Sequence, residues 1–404
     1  MKGETAGQMI RRLRQAKHWS QAELAREVCR AAGVQIEQLG RGPVYRWESG
    51  RRIPGPWLPF LAKALSVPEG ELRRAARVRH DEVAPVSVVD FLPDGDDPFA
   101  ALAGSPGRRI GVGAVADLEK RVHGLRLADD VLAGGDLIGP ALRDLRSAVR
   151  LYRDSAHTED VGRALLRAIG ELAQIAGWIA SDAGRNDEAE RIYRLGLVAA
   201  DRAGDTTLVG NVLGSLAYQR TNTGDVAAGV AMAEGAVELA GQAPGRARAL
   251  YLDRVAWAHA KAFDAQSAMR ALGEAGEALS RHDVGGDEPA YAYWVNAGEL
   301  EVMEARVYTE LRRPLRAVPL LRKVLAEYDA THLREVALYL SWLAVAYADA
   351  NEPEEAAATV ERLLTLSADL ASARTSDRVK VVLASLRRFQ DVPEVRTVLE
   401  AARG

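Results

Sequence analysis

Five turns between helices, at Gly184, Gly224, Phe263, Arg312 and Asn351, constrain this chain more than any other feature. Seven positions before them stand Gly177, Ala217, Ala256, Ala305 and Ala344, and five positions after them Ala189, Gly229, Ala268, Ala317 and Ala356. Every residue in both columns is small. Small residues at fixed offsets on either side of a turn allow two antiparallel helices to approach closely, and two such columns in register over five units define a helical-hairpin repeat. From about residue 108 onward apolar residues recur at helical spacing, and no stretch alternates with a period of two for long enough to be a strand.

The columns resemble those of tetratricopeptide repeats, which carry small residues at the same offsets around the turn. The resemblance spans roughly residues 165–372. Steps of 40, 39, 49 and 39 residues between turns exceed the ~34 residues of that repeat, and longer helices plus an acidic glycine loop at 282–289 account for the excess. Flanking helices at 112–153 and 376–402 lack the columns and are expected to cap the array, since a terminal repeat must present a polar outer face.

The resemblance implies that the first helix of each hairpin lines a concave wall, with positions thirteen, ten, six and two before the turn facing inward. Those offsets select Glu171, Gln174, Trp178 and Asp182 in the first unit, and Asn211, Tyr218 and Asn222 in the second. They add Asp253 and Trp257 in the third and Glu299 and Arg306 in the fourth. Trp178, Tyr218 and Trp257 share one column, giving an apolar wall flanked by polar groups, the mixture with which ligand sites combine burial and orientation. The same aromatics also suit a plug that only fills the inner wall. Asn211 suits a peptide backbone and Arg306 an anionic group, which favours a peptide or acidic metabolite over a neutral lipid.

The first 80 residues have a different character. Ser20 and Glu23 form the two ends of a capping box, which starts a helix; Leu24, Ala25 and Val28 then fall on one face, and Gly33 can stop it in a left-handed conformation. Pro43 fits the first turn of a second helix, with Val44 and Trp47 inward. The run Ser20-Gln21-Ala22-Glu23-Leu24-Ala25 and the run Trp47-Glu48-Ser49-Gly50-Arg51-Arg52-Ile53-Pro54 resemble the two ends of the helix-turn-helix of the XRE family, of Cro and phage-repressor type, with an insertion at about 32–40. The resemblance implies that the second helix enters the major groove of double-stranded DNA. Arg41 and Tyr45 are then the candidate base readers, and Gln21, Arg46, Arg51 and Arg52 suit phosphates. Trp47, Trp57 and Phe60 are expected in the core, and Glu48 as an internal partner for an arginine. Segments 56–65 and 68–79 each open with a proline and complete a five-helix head.

Charge is segregated along the chain. Residues 1–80 hold 16 Lys and Arg against 7 Asp and Glu, a net of +9, while the remainder holds 37 against 49, a net of −12. One basic end is the footprint of a protein that neutralises phosphates there alone. Residues 81–107, with four prolines and six acids, read as a linker, although 86–91 also suits a short strand. The lone cysteine, Cys29, excludes an internal disulfide. The absence of a long apolar run argues against a membrane span, and without a signal-peptide core the cytoplasm is expected. No phosphate loop, His-Glu-x-x-His, Cys-x-x-Cys or Gly-x-Ser-x-Gly occurs, so no enzyme, metal or cofactor is expected.

The sequence thus predicts an all-α chain: a five-helix helix-turn-helix domain at 1–80, a linker at 81–107 and a tetratricopeptide-like array at 108–404 for sensing or dimerisation. A head joined to such an array resembles large actinobacterial regulators and, more distantly, peptide-sensing regulators of other Gram-positive bacteria. The expected function is sequence-specific transcription regulation by a homodimer on an inverted-repeat operator, gated by a peptide or small-molecule effector. Two alternatives remain open: a regulator whose array only dimerises or binds a protein, and a non-transcriptional DNA-binding adaptor of a mobile element. A deep groove with unpaired polar groups favours the effector, and a large exposed apolar face favours the partner.

Overall fold

The computed structural model describes residues 5–34, 39, 41–48, 54, 57–77, 108–132, 134–281, 288–327, 333–367 and 373–402. Two compact units divide the chain, Met1–Ser87 and Val88–Gly404. The stretch read as a linker, with its alternative strand at 86–91, lies outside the described residues, as does most of the loop at 282–289.

The first unit packs five helices: α1 (Ala6–Ala16), α2 (Gln21–Ala32), α3 (Arg41–Glu48), α4 (Leu58–Leu65) and α5 (Glu69–Arg77). The capping box at the start of α2 is formed in both directions. Glu23 N donates to Ser20 Oγ at 3.1 Å and Ser20 N to Glu23 Oε2 at 2.6 Å, while Gly33 ends the helix at φ 69°. Leu24, Ala25, Val28, Cys29, Val44 and Trp47 are buried together with Ile10, Leu61, Leu65 and Leu72. Trp57 and Phe60 pack at the edge of this core, with Trp57 against Trp47 at 6.4 Å between ring centroids. Gly7 permits the tight approach of α1 to α3, because a Cβ there would meet Trp47 O at 2.5 Å.

The second unit is a stack of helical hairpins. The helices are α6 (Val112–Val131), α7 (Gly134–Asp154), α8 (Glu159–Asp182), α9 (Asn186–Arg202), α10 (Thr206–Asn222), α11 (Val226–Ala240), α12 (Gly245–Lys261) and α13 (Ala265–Ser280). They continue as α14 (Ala297–Glu310), α15 (Pro314–Glu327), α16 (Leu333–Asp349), α17 (Pro353–Ser367), α18 (Ala373–Leu386) and α19 (Pro393–Ala401). All five aligned turn residues adopt positive φ, from 56° at Phe263 and Arg312 to 101° at Gly224. Asp225 and Asp264, which follow two of those turns, cap α11 and α13 through their carboxylates, as Ser, Thr, Asp and Asn do where a helix leaves orphan N–H groups. Both small columns are buried at the hairpin contacts; a Cβ on Gly177 would lie 2.6 Å from the Tyr193 ring.

The first helices of successive hairpins, α8, α10, α12, α14, α16 and α18, touch one another in order and form an inner layer, and α6 extends it by packing on α8. From the flanking segments expected to cap the array, α6 and α18 continue the same layer. Two-residue strands β1 (Arg108–Arg109) and β2 (Ser155–Ala156) pair in parallel, a bridge too short for any period-two pattern to announce. Among the described residues no helix is long and apolar enough to cross a membrane.

Candidate functional site

In the first unit, α2 and α3 pack against each other with inner faces set by Leu24, Val28, Val44 and Trp47. Arg46 is exposed and Tyr45 half-buried on α3, while Arg41 supplies its first residue. The side chain of Arg41, and Arg51 and Arg52 entirely, lie outside the described residues. Glu48 is the internal partner that the sequence suggests. Arg14 Nε and Nη2 donate to its two oxygens at 2.6 and 3.1 Å, and Gln21 Nε2 donates to Oε2 at 2.9 Å. This buried carboxylate joins α1, α2 and α3, so in the free protein the Gln21 amide holds α2 to α3 rather than pointing outward.

In the second unit the inner helices line a half-open cavity of about 720 Å³, within the roughly 300–1,000 Å³ of small-molecule sites. It is lined by residues of α6, α8, α10, α12, α14, α15 and α16 and by the segment around Tyr293 and Trp294. Tyr293 donates its hydroxyl to Asp130 of α6 beside it. Burial and the Asp130 carboxylate both raise the Tyr293 pKa, which keeps the phenol protonated.

Along the cavity wall and on beyond it runs a ladder of rings and guanidinium groups. Trp178 and Tyr218 stack at 5.7 Å, Tyr218 and Trp257 lie 6.3 Å apart, and Trp257 meets Trp342 edge-on at 5.3 Å. Arg254 lies 4.4 Å from the Tyr218 centroid, Arg306 4.8 Å from that of Trp257, and Arg378 3.6 Å from that of Trp342. Each ring takes a cation against its negative face. The members come from α8, α10, α12, α14, α16 and α18, so one column of contacts crosses six hairpins. Asp253 is buried under it, 3.5 Å from Arg254; burial pushes its carboxyl up against the opposing pull of Arg254 and Arg306.

Of the residues selected by the inward offsets, the cavity gathers Gln174, Trp178, Asn211, Tyr218, Glu299 and Arg306. The others are not on its wall. Glu171 forms an ion pair with Arg126 at 2.9 Å, and Asp182 Oδ2 accepts from Gly134 N at 3.0 Å. Asn222 Oδ1 accepts from Trp257 Nε1 at 3.1 Å, and Trp257 itself is core. The offset of two falls at the end of the helix, where side chains bind neighbouring helices instead of the lumen. Sequence reasoning missed Ser215, Arg254 and Met303, which all stand nine positions before their turns and line the cavity. That offset is one helical turn from six and from thirteen, so the same face includes it.

The wall is basic at the level of Arg254 and Arg306, and acidic nearer the helix starts at Glu299 and Glu335. Asn211 is 4% exposed, and its Nδ2 meets no acceptor; Arg306 Nη2 donates to Tyr218 Oη at 2.7 Å while its Nε is also buried without an acceptor. Buried donors without partners are rare enough that each calls for a cause such as a ligand or water. Among the described residues no three His, Cys, Asp or Glu side chains are placed to hold a metal ion. Comparison with protein-family profiles, curated proteins and solved structures gives no match to this chain.

Proposed function

We propose that this chain is a sequence-specific DNA-binding transcription regulator of XRE type, acting in the cytoplasm as a homodimer, whose array cavity holds an effector. The observation that carries the reading is the α2–α3 pair: a closed capping box, a left-handed stop at Gly33 and an apolar inner face, within a segment of net charge +9. Support for the effector comes from a half-open cavity of about 720 Å³ beside the unpartnered donors of Asn211 and Arg306. A second reading, an array that serves mainly to dimerise, draws on Val112, Leu127, Val131 and Leu132, large apolar residues exposed along and just beyond α6.

Binding to DNA selected by the protein, followed by fluorescence anisotropy over a range of salt, tests the head. Arg52→Ala should weaken all duplexes alike and reduce the salt slope by about one. Arg41→Ala should cost ~1–3 kcal/mol on the selected site and relax one base position. An unchanged footprint and base preference in Arg41→Ala would show that the base-reading helix is misassigned.

A further inference from the structure

Arg306 is the informative residue of the cavity. Its guanidinium lies within 5.5 Å of the centroids of Tyr218, Trp257 and Trp342, so rings crowd its faces and leave the hydrogen-bonding edge to define its chemistry. That edge has one partner, the Tyr218 hydroxyl, and among the described residues no carboxylate stands in ion-pair reach. A guanidinium in a cavity wall, fixed by stacking and with the buried Asp253 carboxylate acting on it only from beyond ion-pair distance, is arranged to receive a planar anion through parallel N–H donors.

The second fixed point is Asn211. It stands seven residues before Tyr218 on α10, on the same face of the helix, with Ser215 between them occupied by Gln174 Nε2 at 3.1 Å and by Asn211 O at 2.9 Å. Seven residues of α-helix span about 10 Å, so the Asn211 amide and the Arg306–Tyr218 pair cannot hold one small group. Between them the wall is Trp178, Tyr218, Ile175, Leu250 and Met303, which suits an apolar or aromatic body.

We propose that the cavity binds a small organic carboxylate with a flat apolar body, its carboxylate at Arg306 and a second acceptor oxygen near Asn211. This rests on the reading of the cavity as an effector site and specifies what that effector is. The side chain of Asn211 donates to the far oxygen through Nδ2, and the Arg306 guanidinium takes the carboxylate. A peptide main chain would need paired donors and acceptors at every residue, whereas these two donors address only the ends of a ligand.

Calorimetric titration of the full-length protein with 4-hydroxycinnamate, 4-hydroxycinnamyl alcohol and tyramine compares an anion, a neutral molecule and a cation on nearly one skeleton. The carboxylate should bind about tenfold or more tightly than the other two, the effect of one charged hydrogen bond. Arg306→Met should lose that preference. Asn211→Leu should weaken 4-hydroxycinnamate severalfold while leaving cinnamate, which lacks the far oxygen, unchanged; this variant keeps the test open if Arg306→Met does not fold. Tyramine binding as tightly as the carboxylate, no carboxylate binding at millimolar concentration, or equal affinities in folded Arg306→Met would each overturn the proposal. Carboxylate binding through Arg306 that leaves DNA affinity unmoved would contradict effector control while leaving the carboxylate site standing.

Discussion

Arginine is used in opposite ways on the surface of the first unit and along the inner wall of the second. In the first, Arg11, Arg12, Arg26, Arg30, Arg46 and Arg73 are exposed, and Arg14 turns inward to a carboxylate. In the second, Arg126 and Arg254 are buried and Arg306 is partly buried, each packed against aromatic rings. Exposed guanidinium groups create a long-range field that salt screens within about 8–10 Å, which suits contact with a polyanion at many points. Stacked groups give up that reach. They provide instead a fixed direction in a partly buried site, where salt screens less than at the open surface. The difference teaches that a count of positive charges predicts the behaviour of the head but not that of the array.

The sharpest way to break this contrast is at Arg14. Arg14→Met leaves the buried Glu48 carboxylate with the Gln21 amide of α2 as its remaining side-chain donor among the described residues, and breaking one side of a buried pair costs about 3–5 kcal/mol. Denaturant unfolding of the variant should show an early transition for the first unit with the transition of the array unchanged. A single, unshifted transition would mean that Arg14 behaves like the surface arginines.

A smaller effect is expected where the array relies on shape alone. Gly177→Ala puts a methyl into the Tyr193 ring, and overpacking of this kind costs about 1–3 kcal/mol. Thermal unfolding should detect the loss in the array, while DNA affinity measured below the transition stays at the wild-type value. Stability equal to wild type would show that the small column is not a close contact.

The smallest effect concerns Asp253 and depends on pH. Burial, opposed by Arg254 and Arg306, raises the folded-state pKa of this carboxyl. The folded array therefore binds the proton more tightly than the unfolded chain, and this group's contribution to stability improves as pH falls from neutrality toward the ordinary value of about 3.9. Asp253→Asn should melt above wild type near neutrality, with the gap closing as the pH is lowered. A variant that melts below wild type near neutrality would show that Asp253 serves chiefly as counter-ion to the stacked arginines.

The hairpins were legible in the sequence because their requirements are local. A left-handed residue at a turn and a small residue where two helices touch are properties of single positions, and all five turns carry both. The capping box at Ser20 was legible for the same reason. The cavity was only partly so. Six of its lining residues follow from counting back from the turns, but the count treats each helix as if its rotation were known. Arg254 stands beside Asp253 in the chain, and only the packing of α12 against α10 decides that Arg254 lines the lumen while Asp253 lies beneath it. Trp342 and Arg378 extend the ladder from helices beyond the four units assigned to the groove, since stacking across hairpins follows no spacing in the chain. The bridge of β1 and β2 escaped because two residues display no period.

Selection of duplexes from a random pool by the full-length protein at physiological salt tests the central claim most directly, since it presupposes neither operator nor effector. A symmetric dimer bearing one recognition helix per head predicts enrichment of an inverted repeat whose half-sites lie about 34 Å apart, one helical turn, or a multiple of it. Recovery of a pool no different from the starting one, with binding that depends on salt but not on sequence, would contradict the assignment of the first unit as a sequence-specific reader of DNA.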